Sequence, residues 1–178
     1  MNDIILKNAK QYMLNRFSDA SIKVTPEEID RFEITDFGLN NFDKEGLLLL
    51  TYVNTERYCA KEMVLFPHQT CPEHRHPKRG DGSEGKQETF RCRAGVVYLF
   101  VEGENNFDDT LLIKPPDGKE QFYTVKHLIK LLPGQQYTIK PNVIHWFQAG
   151  SEGCIVSEFS SNSDDATDIF TDPNVRRV

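Results

Sequence analysis

From Leu47 to Phe159 the sequence is a succession of short β-rich runs cut by turn residues, and this spacing restricts the fold more than any other feature. Residues 47–54 and 58–66 read as a hairpin. Further strands are expected at 69–76, 86–93, 96–102, 110–114, 122–132, 136–140, 143–149 and 153–159. Gly103-Glu104-Asn105-Asn106, Pro115-Pro116-Asp117-Gly118 and Pro133-Gly134 are turn sequences between them. Many short strands so arranged predict an all-β sandwich or barrel. Ahead of them, Ile5, Ala9, Tyr12, Met13 and Phe17 recur at helical spacing, which predicts an amphipathic helix over 3–17 laid on the outside. Thr25-Pro26-Glu27-Glu28 places a hydroxyl at the N-cap, proline at N1 and glutamate at N3, a capping box that opens a short helix through about Phe32. The expected organisation is one domain over 1–178, with a helical extension at 1–37. An irregular arm follows at 160–178, pinned by Ile169 and Phe170.

The chemistry concentrates in residues 71–95, C-P-E-H-R-H-P-K-R-G-D-G-S-E-G-K-Q-E-T-F-R-C-R-A-G. His74 and His76 are separated by one residue, so on a strand their side chains point to the same face. The run 77–85, with a proline and three glycines, cannot continue a strand and turns the chain back, bringing Glu88 opposite the two imidazoles. His145, after the stiff Pro141-Asn142 turn, supplies a fourth candidate. Imidazole and carboxylate together suit divalent first-row metals. Cys71 lies three residues before His74, on the opposite face of a regular strand, and is expected to pack rather than ligate. Trp146 faces away from His145 by the same rule and is expected to pack as well.

His74-x-His76, Glu88 and Gly95 resemble the first cupin motif, and Pro133-Gly134 with Pro141-Asn142-Val143-Ile144-His145 resembles the second. Asn142 stands where glycine is usual. C-P-E-H-R-H-P, G-K-Q-E-T-F-R-C-R, H-W-F-Q-A-G and I-F-T-D-P are similar to the compact bacterial D-lyxose isomerases, a likeness running from about Val24 to Asp172. The resemblance implies a cupin jelly roll and reversible conversion of D-lyxose to D-xylulose, with D-mannose as a poorer substrate. It also implies a divalent metal, Mn²⁺ by preference with Zn²⁺, Co²⁺ or Fe²⁺ as substitutes, and a homodimer. Three imidazoles and one carboxylate leave two positions of an octahedral ion open to sugar oxygens.

Two further side chains are candidates for catalysis. Lys86 precedes Glu88 by two and shares its face, so its amine either points into the barrel beside the metal or reaches water at the strand's mouth. Glu158 alternates with Cys154 and Val156 and is the first candidate for the proton-transferring base; its rival reading is an ion pair with Arg91 or Lys86. Asp168, Tyr58 and Lys61, with Tyr52, Gln148 and Asp172 behind them, are candidates to line a sugar pocket. Other cupin chemistries remain open: a phosphosugar isomerase using Lys78, Arg79 and Lys86, an Fe²⁺ dioxygenase, and a non-catalytic sugar-binding module.

A formal net charge of -6 provides no basic footprint for nucleic acid, and the clustered Arg176 and Arg177 sit at the very end. No apolar run approaches a membrane span and the N-terminus lacks the pattern of a signal peptide, so a cytoplasmic protein acting on a small-molecule aldose or ketose is expected. Cys59, Cys71, Cys92 and Cys154 form no C-x-x-C pair and are expected as free thiols.

Overall fold

The computed structural model describes residues 1–108 and 111–177. Its helices are α1 (Asp3–Asp19) and α2 (Pro26–Asp30). The strands among the described residues are β1 (Glu33–Thr35), β2 (Leu47–Asn54), β3 (Cys59–Leu65), β4 (Thr70–Arg75), β5 (Glu88–Val101), β6 (His127–Leu131), β7 (Gln136–Ile139), β8 (His145–Ser160) and β9 (Ile169–Phe170). They form one antiparallel sheet rolled into the expected jelly-roll barrel.

β8 is the spine. It pairs with β5 along its whole length, from Glu88 opposite Ser160 to Val101 opposite His145. On its other edge it pairs first with β4 and then with β3. Both long strands had been expected in two pieces, and the break points are real irregularities within continuous strands. In β5 the inward residues are Phe90 and Cys92 and then Val97, Leu99 and Val101, a switch from even to odd numbers. In β8 they are Phe147 and Ala149 and then Cys154 and Val156, the reverse switch at the same level. Register shifts between Cys92 and Ala94 and between Gly95 and Val97 absorb the extra residues. Such bulges bend the strands and let one sheet close on itself.

α1 lies outside, as its spacing predicts. Asn2 caps it by accepting from the Ile5 amide, and Ala9, Met13 and Phe17 pack on Leu48, Leu50, Val64 and Ile155. The capping box of α2 is formed in full between Thr25 and Glu28. A third apolar cluster holds Trp146, whose ring stacks on Phe100 with centroids 4.0 Å apart and whose Nε1 donates to the Val125 carbonyl. All four cysteines are free and buried.

Other expectations are corrected. β1 falls within the stretch read as wholly helical, where three residues are too few to show a period of two. Residues 111–114 are not a strand, and Thr110 lies outside the described residues. The run 122–132 shortens to β6, preceded by a 3₁₀ turn at Glu120–Phe122. The C-terminal arm is not wholly irregular: β9 adds an edge strand to β4, with Phe170 opposite His74 and Ile169 opposite Arg75. Phe170 does the pinning, while Ile169 is exposed. Cys71 packs, but inside the barrel, because a register shift between Cys71 and His74 cancels the alternation assumed for a regular strand.

The Gly95 bend tolerates no side chain. Its φ is +72°, and a Cβ there would sit 2.0 Å from the Gly153 carbonyl oxygen. Gly95→Ala should cost about 3 kcal/mol or more, a fall of roughly 6–12 °C in Tm by calorimetry; an unchanged Tm would show that the bend is not under this constraint.

Candidate metal centre

His74 leaves β4 and His76 follows it two residues on, both pointing into the barrel. His145 opens β8 directly opposite His74, and Glu88 opens β5. Each of the four is buried, Glu88 to 1 % exposure and His145 to 0 %. One donor atom from each side chain lies within 4.8 Å of the others. The ring centroids of His74 and His145 are 4.3 Å apart, and those of His74 and His76 5.0 Å.

Hydrogen bonding sets the tautomer of every ring. Nδ1 of His74 lies 2.8 Å from the Pro72 carbonyl, and Nδ1 of His145 lies 3.0 Å from the Val143 carbonyl. A carbonyl can only accept, so both Nδ1 atoms carry a proton. Nδ1 of His76 faces Asp168 Oδ1 at 2.5 Å and likewise donates. With Nδ1 so engaged each ring turns its Nε2 inward, the arrangement by which outer partners orient metal-binding imidazoles, and in His76 that Nε2 lies 3.2 Å from Glu88 Oε1. His145 Nε2 is 2.9 Å from Glu88 Oε1, yet it is a buried nitrogen with no hydrogen-bond partner. A divalent ion would satisfy that orphan.

The charges agree with this. Burial, reinforced by the neighbouring His145 and His76, holds His74 well below the ordinary histidine value, so it stays neutral. Burial also opposes a charge on His76, but the carboxylates of Glu88 and Asp168 prevail and raise it to about 9. An ion held by this cluster would have to displace a proton from His76. Glu88 is held well below the usual carboxylate range against its own burial, chiefly by Lys86 and His76.

Lys86 does not reach water. Its Nζ sits 2.7 Å from Glu88 Oε2 and 3.1 Å from Glu158 Oε1, and these carboxylates overcome burial to keep it an ammonium well above its ordinary value. The inward reading of Lys86 and the ion-pair reading of Glu158 with Lys86 therefore hold together: both side chains are buried and paired with each other. Ser160 Oγ also donates to Glu158 Oε1, at 3.0 Å.

A cavity of about 40 Å³ adjoins the cluster, lined by His74, Lys86, Glu88 and Glu158 together with Lys61 and Asp168. It has room for only a few water molecules, so a ligand the size of a pentose would have to push lining side chains aside. Lys61 Nζ binds Ser163 Oγ at 2.9 Å and Asp165 at 3.3 Å. Tyr58 does not line this cavity: it is 53 % exposed and lies beside Phe159 on the outer face, because it has the parity of Val64, opposite to the inward Lys61 and Met63. Tyr52 is exposed, Gln148 bonds Thr70 and the Lys114 carbonyl in a separate surface pocket, and Asp172 pairs with Lys119. The sequence reading missed Asp165, Arg177 and Phe37, which also line the cavity. No local pattern marks them, since they arrive from the tail and from the link between β1 and β2.

The model of the D-lyxose isomerase family matches residues 10–178. The chain belongs to that family. It is 58 % identical to the D-lyxose/D-mannose isomerase of Thermosediminibacter oceani, over 97 % of this chain and 94 % of that protein. It is 55 % identical to the D-lyxose ketol-isomerase of Cohnella laeviribosi, over 97 % of this chain and 93 % of that one. Among solved structures, the L-ribose isomerase of Acinetobacter sp. DL28 in complex with L-ribose superposes with a TM-score of 0.80 at 13 % identity, covering 98 % of this chain and 94 % of that chain. The last comparison carries the shared fold.

In a sugar isomerase family a bound ion would account for the one buried ring nitrogen of the cluster without a partner, His145 Nε2, which is costly if left unpaired. A divalent ion at a hundred times its dissociation constant should stabilise the chain by about 2.7 kcal/mol, roughly 5–11 °C in Tm. His74→Ala should abolish that shift in a thermal melt with and without chelator; an equal shift in the variant would remove His74 from the ion's shell.

Proposed function

We propose that this chain is a divalent-metal-dependent aldose-ketose isomerase that interconverts D-lyxose and D-xylulose, with D-mannose and D-fructose as a poorer pair. The substrates rest on the names of its relatives, and the mechanism rests on one observation, the Lys86 ammonium held between Glu88 Oε2 and Glu158 Oε1. His74, His76, Glu88 and His145 would hold the ion, Mn²⁺ by preference, with Zn²⁺, Co²⁺ or Fe²⁺ able to replace it. When bound, it supplies Lewis acidity toward sugar oxygens and stabilises negative charge developing on them.

The remaining chemistry belongs to side chains. Glu158 takes the proton from C2 of the aldose and returns it to C1 on the same face, so the species between is a cis-enediol. Its two donors, Lys86 and Ser160, both use Oε1, which leaves Oε2 to carry the proton. Lys86 orients Glu158, passes a proton to O1 as the C1 carbonyl becomes the enediol and recovers one from the O2 hydroxyl as the C2 carbonyl forms, and the same ammonium assists ring opening. The aromatic rings of Phe90 and Phe147 form an apolar wall that keeps bulk water from the reacting carbons. Lys78 and Arg79, the candidates for a phosphate cradle, do not line the cavity, and Lys86 is already neutralised by two carboxylates. A free sugar therefore fits better than a phosphorylated one.

Glu158→Gln should retain bound metal and lower the Tm, because buried Lys86 loses one of its two carboxylates, while kcat for D-lyxose falls about 10²–10⁴-fold, the usual worth of a positioned proton carrier. Ketose formation by the purified metal-loaded protein, across an aldose panel with phosphorylated sugars beside it, measures this. A variant with unaltered kcat would acquit Glu158, and turnover confined to phosphosugars would replace the substrate.

A further inference from the structure

Arg177 is the second-last residue of the chain, yet its guanidinium is buried in the same cavity as His74 and Glu88. The tail is brought there by firm contacts. Val175 enters the barrel core, and the Arg176 amide donates to the Phe37 carbonyl at 2.7 Å. One nitrogen of Arg177, NH2, is fully engaged, 2.7 Å from Asp165 Oδ2 and 2.9 Å from Glu33 Oε1. The Phe37 ring lies 5.8 Å from the guanidinium carbon and limits its swing. The other terminal nitrogen, NH1, is buried and has no hydrogen-bond partner.

Buried donors are nearly always satisfied, and a guanidinium whose fork is held on one side by two carboxylates presents the other side in a fixed direction. None of the residues that hold Arg177 belongs to the His/Glu cluster or to the Lys86–Glu158 pair. The guanidinium is thus anchored independently of the reacting carbons. We propose that Arg177 NH1 donates to a sugar hydroxyl beyond C2, making Arg177 a specificity-determining residue that recognises the part of the polyol chain where no bond changes. This rests on the isomerase reading above and assigns the remote end of the same site. Asp165 is the positioning residue: it ties Arg177 to Lys61, and so to β3, where Lys61 stands opposite Glu158.

The test uses the full-length, metal-loaded protein, D-lyxose, its 3-, 4- and 5-deoxy analogues, and xylitol, which has the hydroxyls and no carbonyl. Arg177→Met removes the donor. Arg177→Lys keeps a cation facing Asp165 and Glu33 without the second arm of the fork, and serves if the first variant folds poorly. Both should raise KM for D-lyxose about 10–100-fold, the worth of a hydrogen bond to a charged group, with kcat within a few-fold. One deoxy analogue should be penalised by a similar factor in the wild type and not in the variants. Calorimetric binding of xylitol should weaken in parallel. Unchanged KM and xylitol affinity in Arg177→Lys, or a deoxy penalty that survives the substitution, overturns the assignment. If the wild type isomerises no aldose but binds xylitol in an Arg177-dependent way, the isomerase reading fails and this one stands; if it binds no polyol either, both fall.

Discussion

The structure turns on one buried acid. Glu88 is almost wholly removed from water, and a lone carboxylate in such a place would take up a proton rather than stay charged. It stays ionised because Lys86 stands 2.7 Å from one oxygen and two imidazoles stand around the other. Each partner then makes a demand of its own. Lys86, equally buried, needs more negative charge than one carboxylate shared with histidines can supply, and Glu158 provides it. The three rings need their outer nitrogens satisfied, and Pro72, Val143 and Asp168 do so. The groups proposed for proton transfer are thus the same groups that make the acid's burial tolerable, so catalytic placement and electrostatic compensation are one arrangement.

Bringing these groups together depends on the sheet's irregularities rather than on its regular alternation. His145 and Glu158 lie thirteen residues apart on β8, an odd separation that would send them to opposite faces of an uninterrupted strand. The bulged level at Gly95 and Cys154 inverts the parity, so both are buried within one barrel. β5 makes the matching inversion across the hydrogen-bonded ladder, which keeps the two strands in register while both bend. A barrel of straight, regular strands would have put the proposed base outside.

This explains what could be read in advance. His74 and His76 were legible because only one residue separates them, too short a distance for a bulge to intervene. Glu88 was legible from the turn that precedes it, and His145 from Pro141 and Asn142, the latter adopting the left-handed conformation that a glycine would take there. Cys71 was placed on the wrong face because its three-residue separation from His74 spans a register shift that no composition signal announces. The two long strands read as four because the glycines at 95, 150 and 153 look like terminators when they are bends. Asp165, Arg177 and Phe37 were invisible since their roles arise only when distant segments meet. Tyr58 was chosen for chemistry it could perform, without any periodic argument for its direction.

The C-terminal arm is the element whose importance rises most between sequence and structure. Its composition of serine, aspartate and asparagine reads as solvated coil, yet it touches the centre at several points. Asp168 orients His76, and Phe170 lies over His74 with centroids 5.2 Å apart. Glu73 anchors it: this buried acid accepts from Thr171 Oγ1 and also from the amides of Thr124 and Val125, tying arm, β4 and the loop before β6 to one carboxylate. Glu73 and His74 are adjacent on β4 and point to opposite sides, so the outward neighbour of a cluster residue fastens the segment that returns to cover it. Phe170 and Val175 anchor the arm in the core, but between Ser163 and Asp168 it is held by hydrogen bonds and ion pairs, and such contacts break locally at lower cost than a core does. That is the property required of the wall of a cavity too small for its proposed substrate: it must order the imidazoles when closed and still yield when a sugar enters.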